Sequence, residues 1–222
     1  GGAGGVVFGG GAPAGGGGGR GRPVFAARPP PPQPPDRQPP VPAAPTAVRM
    51  PRWLNVRCKS RGGVHIHVRP LRADDAAHER AFIDGLSPAS LGQRVLGTLG
   101  EVTDEQVAEL VRPDWPRRLA LAAFGCDAAT GDGIVGVARF DVSDRPGAAE
   151  FAIVVTDRWQ RRGVGYALFD RLVRAARVGG YRELVGTTYA VNHDMIELAR
   201  SHGFEVGPEE GEPSLRRLTL PL

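Results

Sequence analysis

The stretch AEFAIVVTDRWQRRGVG, residues 149–165, decides the fold that we predict, because it joins a buried strand to a helix through a turn with two glycines. The apolar run Phe151–Val155 has the composition of a strand, and a helical pattern follows Gly165. Gly163 and Gly165 have no Cβ, so a ligand can approach the backbone closely there. The first amides of a helix lack intrahelical partners and carry the positive end of its dipole. The stretch therefore predicts a binding site for an anion.

The spacing of these glycines differs from that of the two common phosphate-binding loops. The stretch contains neither G-x-x-x-x-G-K-[ST] nor G-x-G-x-x-G. It reads Q-x-x-G-x-G from Gln160 to Gly165, directly after the predicted strand. A helix that simply begins after a turn with two glycines, and binds no ligand, can have the same sequence pattern. The rest of the chain must therefore decide between an anion site and a helix start without a ligand.

Residues 1–62 are predicted to form a disordered tail rich in glycine, proline and arginine. The first 50 residues include 13 glycines and 12 prolines, well above the ~25–30% that marks low-complexity disorder. Such a segment buries too little apolar surface to offset the entropy lost on ordering. The folded domain is therefore expected over residues 63–222. The tail is either a weak partner-binding arm or a solvated extension without a role, and Met50 is a candidate start.

The positive charge of the chain belongs to this tail. Residues 1–63 carry nine basic residues and one acid, Asp36, whereas the remainder carries 19 basic and 23 acidic residues. The basic total is therefore poor evidence for nucleic-acid binding by the folded part, and we expect none. Lys59 is the only lysine of the sequence.

Neither a membrane segment nor a metal site is expected. No run of about 18 apolar residues occurs, and the N-terminus lacks the layout of a signal peptide. Cys58 and Cys126 do not make a disulfide framework, which fits a cytoplasmic protein. His65 and His67 share one face of a predicted strand, but no Cys, Asp or Glu clusters with them in the sequence. We interpret both as solvent-facing strand residues.

The order of the predicted elements indicates an α+β fold with a mixed sheet. A capping-box pattern at Thr103 and Gln106 marks the start of a short helix. The other helices are predicted at 74–86, from Ser87 towards 96, after Gly165, and at 192–202, where Gly203 ends the last one. The strands are predicted at 64–68, 119–124, 134–142, 150–155, 182–188 and 215–220, with a turn cluster at 127–133.

This order and the Q-x-x-G-x-G motif resemble the GCN5-related N-acetyltransferases, the GNAT family, over about residues 64–222. The segment from Asn192 to Phe204 resembles the family's last helix. The segments 68–75, 86–90 and 119–123 resemble the bacterial protein-lysine acetyltransferases of the Pat type, which modify acyl-CoA synthetases and similar enzymes. The resemblance implies a mixed central sheet flanked by helices and an acetyl-CoA-dependent N-acetyltransferase without a metal.

The resemblance also implies where acetyl-CoA binds. Backbone amides of Ile153, Val154 and Val155 would face the thioester carbonyl. Asn192 would face the pantetheine arm or the adenosine, although it is equally a candidate helix cap. The residues implied around the diphosphate are Gln160, Arg161, Arg162, Gly163, Val164, Gly165 and Tyr166.

Glu150 is the candidate general base. A lysine amine has a pKa near 10.4, so only about 0.04% is neutral at pH 7, and a base within reach of the amine is needed. Glu150 heads an otherwise apolar strand, and Pat-type enzymes place their base in the equivalent segment. The alternative is a solvated carboxylate at the rim. Many family members carry a Tyr acid in the last helix, where this chain has Ala199; Tyr189 and His193 are weaker candidates nearby.

Besides nucleic-acid binding through the arginine-rich tail, which we do not expect, three functions remain open on the sequence. The leading interpretation is acetyl transfer from acetyl-CoA to a lysine of a protein by direct attack. The first alternative is acetyl transfer to a small amine. The second is a non-catalytic acyl-CoA sensor, which would keep the loop but does not need Glu150. We expect a monomer or a homodimer.

Overall fold

The computed structural model describes residues 49–88, 90, 102–126 and 133–222, and all statements below concern these residues. The strands are β1 (Val56–Lys59), β2 (His65–Pro70), β3 (Arg118–Gly125), β4 (Ile134–Val142), β5 (Ala148–Val155), β6 (Glu183–Tyr189), β7 (Glu205–Glu209) and β8 (Glu212–Pro221). The α-helices with described bounds are α1 (Ala76–Asp84), α2 (Asp104–Leu110), α3 (Val164–Val178) and α4 (His193–Ser201).

One mixed sheet contains all eight strands, in the order β1-β2-β3-β4-β5-β6-β8-β7. Strands β1 to β5 pair antiparallel with their neighbours along the chain, whereas β5 and β6 pair parallel. A parallel pair needs a crossover connection, and α3 provides it. The mixed α+β sheet predicted from the sequence is therefore confirmed. None of the described helices is long and apolar enough to cross a membrane.

The two faces of the sheet carry separate hydrophobic clusters that meet at β5. On one face, Leu168 and Leu172 of α3 belong to the same cluster as Phe151. On the other face, Phe82 of α1 belongs to the same cluster as Val154. Because the side chains of a strand alternate between faces, β5 is buried on both sides. This explains why its sequence is almost continuously apolar.

Several predicted boundaries agree with the structure. Strand β4 has the predicted bounds. The predicted capping box of α2 also forms. Thr103 Oγ1 accepts from the Gln106 amide at 3.3 Å, and Gln106 Oε1 accepts from the Thr103 amide at 2.8 Å. Strand β7 is not predicted by the sequence. Most of the helix predicted from Ser87 and most of the turn predicted at 127–133 lie outside the described residues.

The prediction that residues 1–62 have no fold is wrong for residues 49–62. Arg52–Leu54 form a 3-10 helix, and β1 pairs with β2. The Leu54 side chain is fully buried in the cluster that includes α3. The high glycine and proline content of the preceding residues led to the prediction of disorder for this segment as well. The segment contains apolar side chains that are buried in the core or packed against it. Lys59, at the end of β1, is exposed.

An ion pair fixes the start of the α1 region. Arg69 donates from both terminal nitrogens to the Asp75 carboxylate at 2.6 Å, and the Arg72 amide donates to it at 2.8 Å. Asp75 is only 4% exposed. The hydrogen bonds from Arg69 hold the pKa of Asp75 below its ordinary value. The pair therefore stabilises the fold in a pH-dependent way.

We expect Asp75→Asn to lower the free energy of unfolding by about 2 kcal/mol at pH 7, because Arg69 loses its charged partner. A carboxylate with a depressed folded pKa stabilises fully above its unfolded pKa, about 3.9, and this contribution fades as pH falls through the folded value. Urea unfolding at pH 7 and at about pH 3 measures the difference in unfolding free energy between wild type and variant. This difference should be smaller at about pH 3. A difference that stays constant with pH would contradict this assignment. The exposed Asp84, 3.6 Å from Arg80, gives a matched Asp84→Asn control with little effect.

Candidate functional site

Strands β5 and β6 are paired only over their first residues. Their parallel register ends at the pair Glu150↔Val185, although β5 continues to Val155 and β6 to Tyr189. Strand β4 stays paired with β5, and β8 stays paired with β6, beyond this point. The sheet therefore opens between the second halves of β5 and β6, and we call this opening the strand gap.

Every second backbone amide in the second half of β5 points into the strand gap. The Thr156 amide, just after β5, donates to the Val135 carbonyl at 2.9 Å and so points towards β4. Because successive backbone groups of a strand point to opposite edges, the Val155 and Ile153 amides point towards the gap. The Val154 amide points towards β4. Of the three predicted amides, two are thus directed to the opening.

The side chain of Gln160 closes the outer end of the strand gap. Its amide nitrogen donates to the Val155 carbonyl at 3.0 Å, to Ser90 Oγ at 3.2 Å and to Asp157 Oδ1 at 3.3 Å. Asp157 also accepts from Ser90 Oγ at 2.6 Å and from Ser87 Oγ at 3.2 Å. These two hydroxyl groups hold the pKa of Asp157 below its ordinary value. Sequence reasoning missed Asp157, because a single Asp in a loop carries no distinctive signal.

The loop from Gln160 to Tyr166 has a backbone conformation that is compatible with the predicted anion site. Arg161 and Gly163 have positive φ angles of 55° and 76°, and such left-handed positions let neighbouring amides converge on one side. The Ala167 amide bonds back to the Gly163 carbonyl at 3.1 Å. The amides of residues 164–166 come before this first helical hydrogen bond, so they have no acceptor within the helix. They lie at the positive end of the α3 dipole. The predicted strand, turn and helix start are therefore in place.

Two predicted side chains connect this loop and β6 to α4. Arg161 donates to Asp194 Oδ1, in the first turn of α4, at 3.1 Å. Asn192 Oδ1 accepts from the Met195 amide at 3.2 Å, and its Nδ2 donates to Thr188 Oγ1 at 3.1 Å. Asn192 is thus a helix cap in this structure. Its contact with the coenzyme stays a prediction.

The turn between β1 and β2 lies against the same loop. The Arg162 carbonyl accepts from Ser60 Oγ at 2.5 Å. The Arg61 guanidinium carbon lies 3.3 Å from the centre of the Tyr166 ring, which packs at a tilt of 38° against His202 with centroids 4.3 Å apart. These contacts are not predicted by the sequence, because the turn falls within the predicted tail.

Glu150 lies where the pairing of β5 and β6 ends. Its register partners are Asp141 on β4 and Val185 on β6, and its side chain is half-buried. The alternation along β5 places it on the same face as Val154, which is the face that carries α1. A carboxylate therefore stands at the inner end of the strand gap, on the face opposite α3.

A polar cluster that the sequence analysis missed lies beyond Glu150 on this face. Thr187 Oγ1 donates to Glu209 Oε2 at 3.3 Å, and Arg217 Nη1 donates to Glu209 Oε1 at 2.8 Å. Thr187 follows Val185 by two positions on β6, so it shares the face of Glu150. Finding the cluster from sequence required β7, which was not predicted. No group of three or more possible metal-ligating side chains occurs in the described parts of the chain.

A family model and one relative by sequence point to the same family. Residues 97–204 match the model of the acetyltransferase (GNAT) family. An acetyltransferase of Pseudomonas aeruginosa is 31% identical over 163 residues, which cover 71% of this chain and 86% of that protein. The match spans most of both chains, so it concerns the whole domain and not an isolated motif.

The solved structures agree with this result. The GNAT domain of S. lividans PAT is 25% identical with a TM-score of 0.69, and the match covers 78% of this chain and 100% of that one. A GNAT-family acetyltransferase from Streptococcus pneumoniae shares the fold at 20% identity and a TM-score of 0.56, over 71% of this chain and 99% of that one. The chain therefore belongs to the GNAT family of acetyl-CoA-dependent N-acetyltransferases.

Proposed function

We propose that this protein transfers the acetyl group of acetyl-CoA to a lysine amine of another protein, with Glu150 as the general base. The observation that carries the proposal is the position of Glu150 at the end of the β5–β6 pairing. It stands on the same strand as the two amides that point into the strand gap. The proposed base and the two backbone hydrogen-bond donors therefore lie at the same opening in the sheet.

The loop and the strand gap fit coenzyme A chemically. A diphosphate needs several donors and a positive potential, and the free amides at the start of α3 offer both. A Cβ placed on Gly165 would make only ordinary contacts, 3.5 Å from Leu198 and 3.7 Å from Val155, so this part of the loop is not tightly packed. Acetyl-CoA supplies the acetyl group in activated form, as a thioester.

Each group of the protein then has a separate role. The Glu150 carboxylate takes a proton from the lysine amine, directly or through water, because the amine is otherwise almost entirely protonated at neutral pH. The Ile153 and Val155 amides stabilise the negative charge that develops on the carbonyl oxygen. Gln160 keeps the end of β5 in place through the Val155 carbonyl.

The proposal needs no acid at the position of Ala199. This residue is fully buried in the core, and it has no proton to donate. A thiol has a pKa of about 8.5, so a thiolate is a good leaving group without prior protonation. The lack of a tyrosine at this position is therefore compatible with catalysis.

Two observations favour a protein acceptor. The segments 68–75, 86–90 and 119–123 resemble the Pat-type enzymes, and the solved GNAT domain of S. lividans PAT matches over its whole length. In addition, the cluster of Thr187, Glu209 and Arg217 provides charged groups on the face of Glu150. Such groups suit polar residues that flank a lysine on a protein surface.

Incubation of the protein with radiolabelled acetyl-CoA and an acyl-CoA synthetase tests the proposal. A parallel reaction contains a mixture of small amines instead, namely amino acids, polyamines and aminoglycosides. We expect label on lysines of the synthetase. Label confined to the small amines would replace the protein acceptor by the first alternative. Calorimetric binding of acetyl-CoA without transfer to any acceptor would favour an acyl-CoA sensor.

A further inference from the structure

We infer that the turn between β1 and β2 orients the Gly163 amide for the diphosphate of coenzyme A, with Ser60 as a positioning residue. The inference rests on the proposed coenzyme site at residues 160–166. It assigns a role in coenzyme binding to a segment that lies outside that loop. The turn comprises residues 60–63, between the end of β1 and the start of β2.

Two donors of the turn hold one carbonyl of the loop. Ser60 Oγ donates to the Arg162 carbonyl at 2.5 Å, and the Gly62 amide donates to the same oxygen at 3.2 Å. Ser60 is only 7% exposed, so water has little access to replace its hydroxyl group. The direction of the Arg162 carbonyl is therefore fixed by the turn.

Fixing this carbonyl also fixes the next amide. The C=O and N–H groups of a trans peptide point in opposite directions, because the peptide unit is planar. The Arg162 carbonyl points towards the turn, so the Gly163 N–H points away from it. This amide directly precedes those of residues 164–166 at the start of α3. The turn thus adds a fourth amide, with a set direction, to the donors proposed for the diphosphate.

The two backbones also come into direct contact at Gly62 and Gly163. A Cβ on Gly62 would lie 2.4 Å from the Arg162 carbonyl oxygen, and a Cβ on Gly163 would lie 2.9 Å from the backbone nitrogens of Arg61 and Gly62. Both distances are too short for a real Cβ, so both glycines are needed for this contact. The cation–π contact of Arg61 with Tyr166 extends the contact into the first turn of α3. The loop cannot change its conformation unless the turn moves with it.

Ser60→Ala tests the inference when it is assayed with two acetyl donors. With acetyl-CoA, we expect KM to rise about tenfold through the loss of one buried hydrogen bond. We expect kcat at saturation to stay within about twofold, because the inferred effect of Ser60 is on the diphosphate site alone. With acetyl-pantetheine, a thioester that lacks the diphosphate, we expect kcat/KM of the variant and the wild type to agree. General damage to the fold would lower both activities.

Two further serine variants and one reserve variant complete the design. Ser60→Thr keeps a hydroxyl group and should restore part of the affinity for acetyl-CoA. Ser143→Ala removes a hydroxyl group from the turn between β4 and β5, at the opposite end of β5, and should leave KM unchanged. If thermal unfolding shows that Ser60→Ala does not fold, Ser60→Cys replaces it, since a thiol has similar size and is a weak donor.

Calorimetric titration with coenzyme A distinguishes a failure of the role inferred for Ser60 from a failure of the proposed function. Wild type that binds coenzyme A about tenfold more tightly than Ser60→Ala supports the inference. Equal affinities of the two proteins, or equal losses with both acetyl donors, overturn the inference and leave the proposed function intact. A wild-type protein that does not bind coenzyme A overturns both.

Discussion

Glu150→Gln is expected to reduce kcat for acetyl transfer by about 10²–10³-fold at pH 7, within the range of general base catalysis. The amide has nearly the same size as the carboxylate but cannot take the proton of the amine. The affinity for acetyl-CoA should stay within about twofold of wild type, because the variant leaves the diphosphate donors and the β5 amides unchanged. A loss confined to kcat identifies a group that acts in the chemical step.

The pH dependence of this variant provides the sharper measurement. The neutral fraction of a lysine amine rises about tenfold per pH unit below 10.4. The rate of Glu150→Gln should therefore rise steeply between about pH 7 and pH 9, whereas the wild-type rate should depend less on the amine. Turnover by Glu150→Gln at the wild-type rate at pH 7 would rule out Glu150 as the base. Loss of acetyl-CoA binding would assign Glu150 a structural role instead.

Gly163→Ala is expected to weaken coenzyme A binding at least about tenfold and to destabilise the fold by about 2–3 kcal/mol. The φ angle of Gly163 is 76°, and an added Cβ would meet two backbone nitrogens at 2.9 Å. The alanine must therefore either accept this strain or push the turn away from the loop. Either response displaces the amides at the start of α3.

Gly180 provides the matched control for this substitution. Its φ angle is 85°, and a Cβ there would have no neighbour within 4 Å. Gly180→Ala should therefore show the backbone strain alone, about 1 kcal/mol, with normal coenzyme binding. Urea unfolding and calorimetric titration measure both variants. If Gly163→Ala resembles Gly180→Ala in both measurements, the contact between turn and loop does not contribute to coenzyme binding.

The sequence could predict those parts of the candidate site that follow one another along the chain. Strand β5, the loop with Gly163 and the start of α3 form a continuous segment, and each has a local signal in composition or glycine placement. The capping box of α2 and the bounds of β4 were predicted for the same reason. Local signals also placed Glu150 in a buried strand, although β5 begins two residues earlier than predicted, at Ala148.

The sequence could not predict features that arise from distant contacts. The strand gap depends on where the pairing of β5 and β6 stops, and two apolar strands give no sign of that point. The contact of Ser60 with Arg162 joins residues 102 positions apart. Strand β7 contains Gly207 and Pro208, which read as breakers but are tolerated at the edge of a sheet. Composition misassigned residues 49–62, because they follow a glycine- and proline-rich region.

The single lysine has a practical consequence for any assay of lysine acetylation. An acetyltransferase mixed with its acetyl donor also modifies amines on its own surface, and this background is hard to separate when lysines are many. Here such self-modification of lysine is confined to Lys59, at the exposed end of β1. Lys59→Arg retains the charge and leaves the enzyme without any lysine. With that variant, every acetyl-lysine in the reaction originates from the added acceptor protein.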